Sequence, residues 1–266
     1  MKKASFSTLF ILSLFLFIAC RSMPTNDSKS LLSENQTYGN LSQELMEAAK
    51  NQTPADSILK ILADVSPDDL AKELSNDTRK KAFWINIYNA YISIFLRKNP
   101  KLYDKRGEFF SAKRMEIAGK TLSFDDVEHG IIRGSRSKYT LGLTKKIFVG
   151  KFERQFRVQK RDHRIHFALN CGAKSCPPVA IYDADRLEEQ LDKSATLFLN
   201  STSEYKAAEN KVYVTALFSW FRGDFGWKRG VRKILQKEGI VPKDKKPSLS
   251  YTTYDWTIDL DNYVEL

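Results

Sequence analysis

The run Ala82-Phe-Trp-Ile-Asn-Ile-Tyr-Asn-Ala90 limits what this chain can become more than any other stretch. It lies within a helical pattern spanning 78–98, opened by Asp77 and stopped by Pro100. Apolar residues fall nearly all round this helix, so it must be buried on every side and the other elements must pack around it. Asn86 and Asn89 are the exceptions. Three residues apart, they share a face, and a buried amide needs hydrogen-bond partners. Either they tie the helix to nearby loops, or they are binding residues that orient a catalytic histidine or donate to a bound carbonyl.

Helical spacing also marks 41–50, 55–63 and a short segment from Ser66 to about 74. Residues 115–122 and 205–217 read as hairpins. Ser123 and Asp126 resemble a capping box that opens a helix ending near Gly134. Residues 185–199 and 228–238 are the last helices, separated by an aromatic segment, 218–227, in which a buried Asp224 would need Arg222 or a backbone donor. Residues 164–170 and 254–260 read as strands, and 241–248 as a polar loop. The expected class is α+β: one domain over 41–266, its helical N-terminal part packed on a mixed or antiparallel sheet.

Ahead of that domain, Lys2 and Lys3 precede an apolar run over 9–18 that ends in Ala19-Cys20. This is the pattern of a processed signal, too short for a membrane span. Phe17-Ile18-Ala19-Cys20 resembles a bacterial lipobox with Phe at its first position. That resemblance implies a signal peptide over 1–19, lipidation at Cys20, a tether over 20–40 and an extracytoplasmic, membrane-anchored domain. Arg21-Ser22, with no Asp after the cysteine, points to the outer membrane. The alternative is an ordinary cleaved signal in which Cys20 has no role.

Charge is informative through its position. The formal net charge is +11, or +9 without Lys2 and Lys3. Between Arg133 and Arg164 eleven Lys and Arg stand against Glu153 and Asp162, a local excess of +9. Nucleic acid is not the expected partner outside the cytoplasm. The segment is instead either a solvated basic face or a contact for an anionic envelope surface.

Chemistry concentrates in Arg164-Ile-His-Phe-Ala-Leu-Asn-Cys-Gly-Ala-Lys-Ser-Cys-Pro-Pro178, which carries His166, Cys171 and Cys176. A Gly-rich turn followed by Pro-Pro is a place where folds display reactive groups. Together with Phe83–Ala90, Asp126-Val-Glu-His-Gly-Ile-Ile-Arg133, Phe221-Arg-Gly-Asp-Phe225 and Tyr254-Asp-Trp256, the His166-Phe-Ala-Leu-Asn-Cys-Gly172 part of this stretch resembles the bacterial and plant domain of unknown function 547 over roughly 75–258. The resemblance singles out Glu128-His129 and a histidine with a following cysteine, His166 and Cys171. Cys176 is a serine in some members, so the family does not require a disulfide there.

Three chemistries remain open. In the first, Cys171 is the nucleophile of an amide or ester hydrolase or acyl transferase. Its base is His129 or His166, oriented by Glu128 or Asp126, and the amides of 172–175 form an oxyanion hole. On a continuous strand His166 and Cys171 would face opposite ways, which favours His129. In the second, Cys171 and Cys176 form a disulfide in a non-catalytic envelope binding or scaffold module. In the third, His163, His166, Cys171 and Cys176 bind zinc, against a non-standard spacing. The sequence has no Gly-rich phosphate loop, Rossmann fingerprint or serine elbow, so no nucleotide cofactor is expected.

Overall fold

The computed structural model describes Leu32 and residues 36–266. The signal peptide, Cys20 and most of the expected tether lie outside the described residues. Three short helices lead in: α1 (Tyr38–Asn51), α2 (Asp56–Asp64) and α3 (Pro67–Glu73). Side chains cap α1 and α3, as at Ser66, which accepts from the Asp69 amide ahead of Pro67. The central α4 (Asp77–Lys98) follows. The Asn76 side chain caps it, Asp77 lies in its first turn, and Arg97 and Lys98 complement the dipole at its end.

Every residue from Lys81 to Ser93 is buried, as the all-round apolar pattern of α4 requires. Trp84, with edge-on contacts to Phe83, Phe152 and Phe156, anchors one side of the core. Phe124 meets Tyr88, Phe95, Phe109 and Phe110 on another. The buried Lys81 ammonium lies 3.1 Å from Asp162. Burial alone would raise the Asp162 pKa. The Arg164 hydrogen bond and the Lys81 and Arg164 charges outweigh burial and hold it well below the usual carboxylate range.

After α5 (Arg106–Ser111), β1 (Met115–Ile117) and β2 (Lys120–Leu122) form an antiparallel hairpin. Its two-residue turn, Ala118-Gly119, has positive φ at both positions. Then come α6 (Lys151–Phe156) and the amphipathic α7 (Leu187–Thr202). A second hairpin pairs β3 (Glu204–Lys206) with β4 (Lys211–Val214). Helices α8 (Leu217–Trp220) and α9 (Trp227–Lys237) precede β5 (Ser248–Tyr251), which joins β4 in parallel. A second buried cluster, with Phe167, Phe198, Phe218, Phe225 and Leu235, fills the space between α7, α9 and β4. The architecture is α+β, with two small sheets, one antiparallel and one mixed.

Two expected strands are absent. Residues His163–Phe167 form a 3-10 turn, begun by Asp162, whose side chain accepts from the Arg164 amide. Ile165 to Asn170 are all buried in succession, and a continuous apolar run carries no period to separate strand from helix. Residues 254–260 run along the 172–175 loop, with one antiparallel bridge between Ala173 and Ile258 and a few flanking backbone hydrogen bonds but no regular strand. The strand at this end is β5, which sequence reading left partly inside a polar loop. Among the described residues no helix is long and apolar enough to cross a membrane.

Candidate functional site

The capping box at Ser123 forms as read, with Asp in place of Glu. The Ser123 amide donates to Asp126 Oδ2 and the Asp126 amide donates to Ser123 Oγ, both at 3.0 Å. The turns that follow, Asp126–Ile132, are wider than an α-helix. The Arg133 and Ser135 amides donate to carbonyls five residues back, those of Glu128 (2.8 Å) and Gly130 (2.7 Å). On an ordinary helix neighbours diverge by about 100°. In this widened segment the adjacent Glu128 and His129 both line the same cavity.

That cavity has a volume of about 270 Å³. Its polar floor is Asp125, Glu128, His129, Lys138 and His166, with the Tyr88 hydroxyl 3.4 Å from Glu128 Oε2. Its wall is the Cys171–Cys176 disulfide with Leu169 and Pro177. Its rim is aromatic: Trp220 and Trp256 stack at 5.5 Å with Tyr254 against both, and the Arg106 guanidinium sits 4.7 Å over Trp256. All four residues expected to be catalytic, Cys171, His129, Glu128 and His166, therefore meet at one cavity. The strand argument against His166 fails because the 3-10 turn and the loop after it bring His166 and Cys171 to the same cavity.

The two histidines differ in what they leave free. Arg133 Nη1 is 2.7 Å from His129 Nδ1, and because a guanidinium only donates, Nδ1 accepts. The His129 proton is then on Nε2, 3.5 Å from Asp125 Oδ1. Burial would raise the Asp125 pKa, but its hydrogen bonds to His129 and Lys138 lower it overall. His166 is stacked on Phe221 at 4.0 Å, and its Nε2 lies 2.9 Å from Asp224 Oδ2. An ionised carboxylate only accepts, so Nε2 carries the proton. Nδ1 has no hydrogen bond among the described residues.

Asp224 is the residue that sequence reading placed wrongly. Its partners are Arg133 Nε at 2.6 Å, His166 and Arg161, while Arg222 turns back to Ser219. Burial pushes its pKa up, but the His166 hydrogen bond and the charges of His166 and Arg133 hold it well below the carboxylate range. Within the motif Phe221-Arg-Gly-Asp-Phe225, Gly223 donates its amide to the Leu141 carbonyl at 3.0 Å. A Cβ there would lie 2.7 Å from the same oxygen, so the close approach requires glycine.

Asn86 and Asn89 do not line the cavity. Asn86 donates to Ser42 Oγ and the Tyr182 carbonyl and accepts from the Tyr182 amide. Asn89 donates to the Ala168 carbonyl and accepts from the Asn170 amide, both at 2.9 Å. The binding role is thus corrected to a structural one, because backbone groups take both amides. The expected oxyanion hole is also largely spent: the Gly172, Lys174 and Ser175 amides donate to Asn170 Oδ1, Thr257 O and Asp255 O. Cys176 Sγ instead accepts from the Cys171 amide at 2.9 Å and the Tyr254 hydroxyl at 3.1 Å. The zinc set does not assemble. The two sulfurs bond each other, His166 serves Asp224, and His163 packs edge-on to Phe225.

The site sets a pH dependence. Burial lowers the pKa of both His166 and His163 below 6.5. Each binds its proton more readily in the unfolded chain, so stability should fall as pH drops below about 6.5, by at most about 1.4 kcal/mol per pH unit for each. Asp162 and Asp224 add their losses only at and below about pH 4, the ordinary carboxylate range. Urea midpoints measured from pH 7.5 to 5 should decline, and His166→Gln should flatten that decline. An unchanged slope would mean His166 titrates as if unfolded.

Fold and site together define an α+β domain with a buried acid–base cleft closed on one wall by a disulfide. Residues 71–199 match the model of a family described as "Protein of unknown function, DUF547". The chain carries a domain of that family across those residues. The matched stretch includes Glu128, His129, His166 and both cysteines but ends before Asp224 and the aromatic rim. No curated protein and no solved structure matched the chain.

Proposed function

We propose that the cleft is the active site of a Cys/His-dependent hydrolase or acyl transferase for amides or esters, held at the cell envelope by lipid on Cys20. In the structure its nucleophile is closed off in the Cys171–Cys176 disulfide. The observation that carries this reading is the convergence on one cavity of Cys171 and a His166 whose Nδ1 is left free by Asp224. A base oriented by a third group beside a nucleophile is the arrangement that acyl transfer needs. His166, rather than His129, is the base of choice, since both nitrogens of His129 are engaged.

Opening the site takes a dithiol reductant. It supplies two electrons and two protons, the S–S bond breaks to two thiols, and the reductant leaves as its own disulfide. His166 Nδ1 then takes the Cys171 proton, and the thiolate attacks the substrate carbonyl carbon. The C–N or C–O bond breaks, and the proton passes from His166 to the leaving group. Water, deprotonated by the same histidine, adds its oxygen to the thioester and releases the acid and the thiol. In the acyl-transfer version an amine or alcohol takes the place of water. The Tyr254 hydroxyl, 3.4 Å from Cys171 Sγ, is a donor beside the thiolate.

The second reading is a binding module in which the disulfide is structural, favoured by the packing of Cys176 Sγ beneath two donors. One variant separates them. Full-length Cys176→Ser should release p-nitrophenol from p-nitrophenyl acetate without reductant and accumulate an acetyl adduct on Cys171. The wild type should need prior reduction, with the reductant removed before assay. Cys171→Ser should be inactive, and His166→Asn should lose about 10²–10⁴ in rate. A folded Cys176→Ser with no adduct and no turnover would end the catalytic reading and leave the binding module.

A further inference from the structure

Nine large apolar side chains among the described residues are exposed, and five of them, Tyr139, Leu141, Leu143, Ile147 and Phe148, fall within residues 139–148. Such clustering is not the scatter of single exposed apolar residues that any surface carries. Ile147 and Phe148 are the extremes, at 90% and 92% exposure. The loop that holds them is built, not loose. Arg136 and Lys145 pair as in an antiparallel ladder, the Ser137 amide donates to Thr144 O, and the Lys146 amide donates to Ser135 O. Thr140 and Thr144 hydroxyls meet at 2.9 Å, and the Leu141 carbonyl takes the Gly223 amide. This ordered base carries an Ile-Phe pair outward into water.

Around that pair the charge is basic. Lys145, Lys151 and Arg154 are exposed and make no ion pair within the described residues. By contrast Lys138 and Lys146 are held by Asp125 and Glu153. We propose that this loop is a membrane-docking device: Ile147 and Phe148 enter the headgroup layer of an anionic phospholipid bilayer while Lys145, Lys151 and Arg154 bind its phosphates. The combination is the one that interfacial anchors use, apolar tips below and long cationic side chains reaching back to the surface. A bilayer suits an aliphatic–aromatic tip that projects alone. A protein partner would need a fixed socket for it, and a polysaccharide would gain little from an isoleucine.

The test keeps the full chain. In a Cys20→Ser background with the disulfide intact, Phe148→Cys gives one free thiol for a nitrobenzoxadiazole label. Leu197→Cys on α7 is the control site. With vesicles of phosphatidylethanolamine and phosphatidylglycerol, the label at 148 should shift its emission to the blue and become about tenfold less accessible to aqueous iodide, while the label at 197 should not. Adding Lys145→Glu and Lys151→Glu, or replacing the lipid with phosphatidylcholine alone, should remove most of that protection. The proposal is overturned if the label at 148 is quenched equally with and without vesicles. It is also overturned if protection is the same in phosphatidylcholine, or arises only with cell-wall polysaccharide or added protein.

Discussion

Asp224→Ala is expected to cost about 3–5 kcal/mol of stability, because it removes one partner from a buried, charged cluster. The side chains of Arg133, His166 and Asp224 are 2%, 2% and 5% exposed. Without the carboxylate the Arg133 guanidinium stays buried against the face of Phe221, 4.8 Å away, and its Nη2 already lacks a hydrogen-bond partner among the described residues. A cation–π contact contributes only about 0.5–2 kcal/mol and does not replace a charge-assisted hydrogen bond of 2.6 Å. Urea unfolding at pH 7.5, where His166 is neutral, leaves out any His166 charge and reports the loss of the Arg133 ion pair together with the neutral His166 hydrogen bond. Asp224→Asn keeps the shape and an acceptor, so it should cost less than the alanine variant. A loss below about 1 kcal/mol for Asp224→Ala would mean that water enters the cluster and solvates Arg133.

That cluster also marks the limit of what sequence could say. The buried α4, the capping box at Ser123 and both hairpins follow from local rules, because their periodicity, turn residues and caps are each written within a few positions. The cleft is legible as a set of residue types, since the motifs carry Glu128, His129, His166 and Cys171, which line one cavity. Their pairing is not. Asp224 lies 58 residues from His166, and its sequence neighbour Arg222 was the plausible partner until the chain folded back. The strand misread at 164–170 has a related cause, since Ile165 to Asn170 are all buried, against α4 and α7 among others, and show no period of their own. The strand β5 was hidden for the opposite reason. Its Ser-Leu-Ser-Tyr sequence is weakly apolar, and its parallel pairing with β4 supplies the order.

Asn89 is where the core and the cleft meet, so its replacement should act on both. Its amide satisfies the Ala168 carbonyl and the Asn170 amide, two backbone groups of the segment that leads from His166 to Cys171. In Asn89→Ala both groups lose their partner in a site where Asn89 is only 2% exposed. Each buried unsatisfied group costs about 1–3 kcal/mol, so a total of about 2–6 kcal/mol is expected. Asn89→Asp is the sharper comparison. It keeps an acceptor for the Asn170 amide but turns a carboxylate oxygen toward the Ala168 carbonyl, so it should be no better than alanine near neutral pH and improve as pH falls. The same variants should raise the rate at which a dithiol reduces the Cys171–Cys176 bridge, because the segment holding Cys171 loses its attachment to α4. Asn86→Ala should destabilise by a similar amount, since it also frees two backbone groups, but those belong to Tyr182, away from the cysteines. If both variants speed reduction equally, the effect is global unfolding. If only Asn89→Ala does, α4 sets the position of the Cys171 wall through this one amide.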